Sequence, residues 1–212
     1  MKKLHENIKI DDAEFNKIII DEAKKHSERQ RIKATKKKVK TSFLKNVAKK
    51  IVHEHFENSK SVLCLGCRDV SELILFESND LKARGIDVAI ETDKIIKAPA
   101  EKMLNHFTEN QFDFIYASHS LEHVLIPEIV MKNIRLVSKK GCYVILPLIK
   151  RNTPKKGHPV LFDICNKQKN ESKETLIESV KKDFKQFEPY EILEVFFAEG
   201  SESEFHICFK WK

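Results

Sequence analysis

A chain of 212 residues, 41% hydrophobic and 33% charged, has room for one sizeable core plus an appendage. No apolar run approaches the roughly 18 residues of a membrane span, and the start "MKKLHENIKIDD" lacks the apolar segment of a secretory signal, so a cytoplasmic protein is expected. The formal net charge of +7 points to an anionic partner or surface, and its source is local: residues 24–50 hold twelve Lys or Arg against one acid, Glu28.

Residues Ile8 to Phe56 contain neither glycine nor proline, and apolar residues recur at spacings of three and four, as in Ile18, Ile19 and Ala23 and again in Phe43, Val47 and Ile51. Helices are expected here, the second over Ser42 to Phe56 with a face that can pack. Between them, Ala34 to Lys40 is so basic and so poor in large apolar side chains that it reads as a solvated helix or a connector. Residues 1–58 are accordingly read as a basic helical extension.

From Ser59 the pattern changes. "SVLCL", "ARGIDV", "FDFIYAS" and "GCYVILPL" are short apolar runs, and the segments "SELILFES" and "PEIVMKNIRLVSKK" between them carry helical spacing. Pro127 would stand in the first turn of the latter helix, where a missing N–H costs nothing. A helical stretch "TLIESVKKDFKQF" then precedes two strands, "YEILEVFFAEG" and "EFHICFKWK", with turn chemistry at Gly200 and Ser201. The expected fold is α/β, a Rossmann-like, doubly wound and mostly parallel sheet over residues 59–212 that ends in an antiparallel hairpin.

In such a unit the first strand-to-helix turn offers backbone N–H groups to a ligand, and Gly66 stands there. About twenty residues later Asp87 closes the second run, where an acid accepts hydrogen bonds from the two hydroxyls of a ribose. The stretches "VLCLGCRDVSE", "GIDV", "FDFIYASHSLEHV" and "EIVMKNIRLVSKKGCYVILPL" together resemble, in order and spacing, the successive motifs of class I S-adenosylmethionine-dependent methyltransferases. The "LEHV" after the fourth strand resembles the branch that modifies small molecules and sugars.

The resemblance implies S-adenosylmethionine as cofactor and a hydroxyl or other nucleophile of a small or sugar-like molecule as acceptor. It implies that Leu65, Gly66, Cys67 and Arg68 cradle the methionine part, with Glu72 and Arg68 replacing backbone contacts, that Asp87 holds the ribose, and that Ala100 and Glu101 flank the adenine. Ser118, His119 and Ser120 would line the cavity beside the reactive methyl group, and Leu121 would pack against the cofactor. The chain departs from the family pattern at Cys64, where an acid is usual, at Arg68 and Val70, where glycines are common, and at Pro99, which has no N–H to offer.

Methyl transfer from a sulfonium needs mainly positioning in a dry pocket, and no metal is required. A hydroxyl acceptor would gain from a base near neutral pH, for which His119, His123 and His158 are candidates. The competing readings are structural. Cys64 and Cys67 form a C-x-x-C pair with no second pair to complete a metal site, and Cys64 falls inside a strand; the five cysteines read as reduced thiols. His119 and His123 flank Glu122 in "HSLEH" and serve equally as helix-start hydrogen-bonders, and His158 sits in an ordinary Gly- and Pro-containing loop. The basic stretch 24–50 is either a solvated face or a contact for nucleic acid, an anionic surface or a phosphate-bearing substrate. A methyltransferase-like binding protein without catalysis is thus the alternative; a nicotinamide oxidoreductase would require a G-x-G-x-x-G loop that the chain lacks.

Overall fold

The computed structural model describes residues 1–4, 7–34, 41–67, 70–149, 153–154, 159–167, 171–198 and 204–212. Arg68, His158, the hairpin turn at Gly200 and Ser201, and residues 35–40 of the basic connector lie outside the described residues.

In chain order the elements are strand β1 (Lys2–Lys3), helices α1 (Ala13–Ala34) and α2 (Thr41–Lys50), β2 (Ser61–Leu65), α3 (Ser71–Glu77), β3 (Lys82–Asp87), β4 (Ile95–Lys97), β5 (Phe112–Ser118), α4 (Pro127–Val137), β6 (Ser138–Pro147), β7 (Val160–Leu161), α5 (Lys173–Asp183), β8 (Tyr190–Ala198) and β9 (Glu204–Trp211). Every apolar run read as a strand is one, and Pro127 does occupy the first turn of α4. The sequence reading missed three features. One is β4, three residues at the sheet edge; another is the pairing of β1 with β7; the third is the π-helical turn Ile51–His55 that ends α2.

The main sheet has the order β4-β3-β2-β5-β6-β9-β8, with β2 through β6 parallel and β9 antiparallel to both β6 and β8. The chain winds outward from β2 to β4, returns to β5 beside β2, and winds outward the other way. The reversal between β2 and β5 makes the crevice beyond their carboxyl ends the place for a ligand.

Each face of the sheet is covered, as a mostly parallel sheet requires. On one face Val130, Met131, Ile134 and Val137 of α4 and Leu176 and Val180 of α5 meet Leu63, Ile115, Val144 and Phe209. On the other, Leu73 and Phe76 of α3 meet Val62, Phe114 and Tyr116, together with Ala48, Ile51, Val52 and Phe56 from α2 and its π turn. The second half of the helical extension therefore contributes to the same core as the sheet. Its ring contact is close, Phe56 stacking on Phe114 with centroids 4.5 Å apart.

Candidate functional site

The loop after β2 and the turn after β5 touch each other. Gly66 has φ +73°, a left-handed conformation that glycine takes without steric cost, and its N–H donates to Ile86 O at 2.8 Å. A Cβ placed on it would lie 2.5 Å from Ser120 Cβ, so only a glycine lets the two segments approach this closely. Ser120 is itself buried, and its Oγ has no hydrogen-bond partner among the described residues. A buried hydroxyl without a partner at the switch point suits a polar cofactor.

Leu65 and Leu121 are buried in the α4 and α5 core on either side of this contact. Cys67 is buried with its Sγ donating to Cys64 O at 3.1 Å, and it rests where a Cβ on Gly85 would intrude at 2.7 Å. Both thiols therefore serve packing. Burial, followed by the bond to Cys67, pushes the Cys64 thiol well up, away from the reactive thiolate. Val70 precedes α3 with φ −76° and packs against the α2 and α3 core, so this position needs no glycine.

Glu72, in the first turn of α3, faces inward. Burial and then the Glu72 carboxylate push the Tyr116 phenol well up, and Ser118 shares a side-chain hydrogen bond with that phenol.

Asp87 ends β3 nearly buried. Its Oδ1 accepts from Ala89 N (2.7 Å) and Ile90 N (3.0 Å), which orients the carboxylate and closes the turn that follows. Beside it opens a cleft of about 760 Å³, lined by Val88, Lys97, Ala98 and Pro99 and, across from them, by Ile19, Ile20, Ala23, Lys24 and Glu28 of α1. The volume is in the range of small-molecule sites. The start of α1 is tied down by Lys102 Nζ on Asp11 Oδ1 and by the fully buried Phe15 beneath the same lysine.

Ala100 follows Pro99 in a short 3-10 helix and is partly buried against the core. Glu101 is buried, and its Oε1 accepts from Leu125 N (2.6 Å) and Ile126 N (3.1 Å) just before α4. Burial raises its carboxyl above the usual range, against these bonds. Its side chain thus supports the chain start of α4.

His119 has φ +49°, unusual for a residue other than glycine, and its N–H donates to Ile145 O at 2.9 Å. Its Nε2 lies 2.8 Å from Glu204 Oε2, and its Nδ1 lies 3.9 Å from Glu122 Oε1. His123 Nε2 is 3.7 Å from the same oxygen. Glu204 also meets His206 Nε2 at 2.9 Å, and His206 Nδ1 meets Tyr143 Oη at 3.0 Å. Burial opposes ionisation of Glu204, but its two imidazole partners outweigh it and hold the carboxyl at about 2. The sequence reading missed Glu204, His206 and Tyr143. The spacing of Glu204 and His206 in "EFHICF", which puts both on one face of a strand, was the available signal. Among the described residues no three His, Cys, Asp or Glu side chains converge as a metal site, and no helix is long and apolar enough to cross a membrane.

A family model described as a methyltransferase domain matches residues 36–155, more than half of the chain. No curated protein matches. Among solved structures, 1,6-didemethyltoxoflavin-N1-methyltransferase of Burkholderia thailandensis, with bound 1,6-didemethyltoxoflavin and S-adenosylhomocysteine, is similar over 93% of this chain and 88% of its own, with TM-score 0.60 and 11% identity. The cyclase SpnF is similar over 79% of both chains, with TM-score 0.55 and 14% identity. Magnesium protoporphyrin IX methyltransferase of Synechocystis PCC 6803, with bound S-adenosylmethionine, is similar over 81% of this chain and 79% of its own, with TM-score 0.53 and 9% identity. At these identities the likeness is one of fold.

Proposed function

The chain belongs to the methyltransferase-domain family, within the class I S-adenosylmethionine-dependent superfamily, and from that premise we propose that it transfers a methyl group to a hydroxyl or other nucleophile of a small or sugar-like molecule. The observation that carries this reading is the contact of Gly66 with Ser120 at the switch point, next to Asp87 and the cleft beneath α1. When bound, S-adenosylmethionine supplies a methyl group already activated on sulfur.

The residues divide the work of holding it. The backbone of Leu65, Gly66 and Cys67 and the Ser120 hydroxyl take the methionine end. The Asp87 carboxylate has lone pairs enough to serve its own turn and accept from ribose hydroxyls. Val88, Ala98 and Pro99 supply an apolar wall for the adenine, and Ile19 and Ala23 of α1 supply the facing one, which keeps water from the cofactor. Pro99 offers no N–H there, so the ring is held by packing and by the backbone beyond it. The helical extension 1–58 supports the catalytic unit 59–212 through this wall and through the core contacts of α2. Its basic stretch 24–50 suits a phosphate-bearing acceptor or an anionic surface.

The test is to incubate the full chain with S-adenosylmethionine labelled in the methyl group and a panel of hydroxyl-bearing small molecules, sugars and sugar phosphates, with RNA as a separate arm. Label on a small hydroxyl compound is the expected result. Label on RNA alone would overturn the acceptor class, and label on nothing, with no cofactor bound, would leave the chain as a binding protein built on this fold.

A further inference from the structure

Glu204 and His206 lie outside the motifs that carry the family resemblance, and with Tyr143, from the last of those motifs, they form one line of hydrogen bonds ending on His119. The antiparallel register delivers them to the site: Ile145 pairs with His206 and Pro147 with Glu204 at the carboxyl end of β6. Two ring contacts hold the line in place, the Phe196 ring stacked on His206 at 4.8 Å and the His55 ring beside Tyr143 at 6.0 Å.

With both imidazoles neutral the line has one arrangement of protons, because the Glu204 carboxylate only accepts. A phenol O–H donates to His206 Nδ1, so that ring carries its hydrogen on Nε2 and gives it to Glu204 Oε1. The other carboxylate oxygen accepts from His119 Nε2–H. A neutral His119 held in this way has its lone pair on Nδ1. His206 and Tyr143 are almost fully enclosed, whereas 14% of the His119 side chain is accessible at the mouth of β5.

We infer that Glu204, His206 and Tyr143 are positioning residues that fix His119 as its Nε2–H tautomer, so that His119 Nδ1 takes the proton of a hydroxyl-bearing acceptor. The inference rests on the methyl-transfer reading above. As the acceptor oxygen bonds to the methyl carbon, the carbon–sulfur bond breaks with its electron pair left on sulfur, and the acceptor O–H proton passes to Nδ1. The imidazolium then lies between Glu204 and Glu122, which stabilise it until the proton leaves to water. Among the described residues, His123, through Glu122, and His206, through Glu204, also bear on it.

The test uses the full chain labelled with nitrogen-15 at histidine, titrated with pH by NMR in the presence of S-adenosylhomocysteine. In the unsubstituted protein, neutral His119 should carry its proton on Nε2. In Glu204→Gln the imidazolium loses an anionic neighbour, and the His119 midpoint should fall by about one pH unit or more. With the compound that takes label in the screen above, kcat of Glu204→Gln should fall about 10- to 100-fold with KM unchanged, and the pH midpoint of kcat should track that of His119. His206→Gln, which keeps the carboxylate, should give a smaller loss and guards against misfolding of the first variant. A neutral His119 protonated on Nδ1, a midpoint unmoved by Glu204→Gln, or an unchanged kcat would overturn the inference. The expected NMR signature in a chain that binds no S-adenosylhomocysteine would instead overturn the methyl-transfer reading, and with it the proton-accepting role of His119.

Discussion

Replacing Gly66 by alanine tests the contact that builds the site. The added Cβ would lie 2.5 Å from Ser120 Cβ, closer than real Cβ contacts come, and the opposing atom belongs to a short side chain next to the backbone. Overpacking of this kind costs about 1–3 kcal/mol. The left-handed φ of +73° adds about 1–2 kcal/mol for any residue with a Cβ. Together they predict a loss of about 2–5 kcal/mol, and at about 2–4 °C per kcal/mol for a chain of this size the melting temperature should fall by about 4–20 °C. Thermal unfolding followed by circular dichroism reads this directly. The double variant Gly66→Ala with Ser120→Gly removes the clash and leaves the strained φ, so it should recover the first part and not the second. Alanine at 66 within about 0.5 kcal/mol of the unsubstituted protein would refute the close approach of the two loops.

Other outcomes follow from the same structure. Removing residues 1–40 should leave a folded protein with a weakened cofactor cleft, because Ile19 and Ala23 go with it. Removing 1–58 also strips Ala48, Ile51, Val52 and Phe56 from the core; at about 1.5–3 kcal/mol for each of the three larger side chains this rivals the whole stability of a domain, and light scattering should show aggregation. Glu101→Gln keeps an acceptor for Leu125 N and Ile126 N without a buried charge. Burial raises the Glu101 carboxyl in the folded state, so the folded state holds its proton more tightly and stability is lost as pH rises from the ordinary glutamate value of 4.5 through the raised one. The glutamine variant should therefore melt higher at pH 8, with the advantage disappearing toward pH 4. Glu204 has the opposite sign: its carboxyl is held at about 2, so its contribution is present above 4.5 and lost as pH falls toward 2. Acid unfolding of Glu204→Gln should lack that component. Ala23→Trp, which fills the cleft from α1, should lower S-adenosylhomocysteine affinity at least tenfold in calorimetry while leaving the melting temperature unchanged.

Strands β2, β5 and β6 were legible because each holds a run of apolar residues buried on both faces, and the hairpin because two apolar-rich stretches follow one another at the end of the chain. Strand β4 was not, since its three residues sit at the edge, where pairing to Gly85, Ile86 and Asp87 decides the conformation and no pattern of two is needed. Gly66 and Asp87 could be found from local spacing, because a turn and the residue that ends a strand are local features. The line from His119 to Tyr143 could not, since it joins β5, β6 and β9 through contacts 85 and 63 residues apart that depend on the register of the antiparallel strand. Glu101 shows the converse limit: its place just after Pro99 is readable, but the backbone it serves, at Leu125 and Ile126, is not. The wall from α1 is a similar case, because an amphipathic pattern gives a helix its apolar face without naming what that face covers.

The central claim is that residues around Gly66 and Asp87 hold an adenosyl cofactor, and calorimetric titration with S-adenosylhomocysteine of the unsubstituted chain and of Asp87→Ala tests it most directly. The account predicts binding in the micromolar range, weakened at least tenfold in the variant, since each lost hydrogen bond to a charged group is worth about 1.5–3 kcal/mol. No heat of binding with the unsubstituted chain, or equal affinity in both, would contradict it.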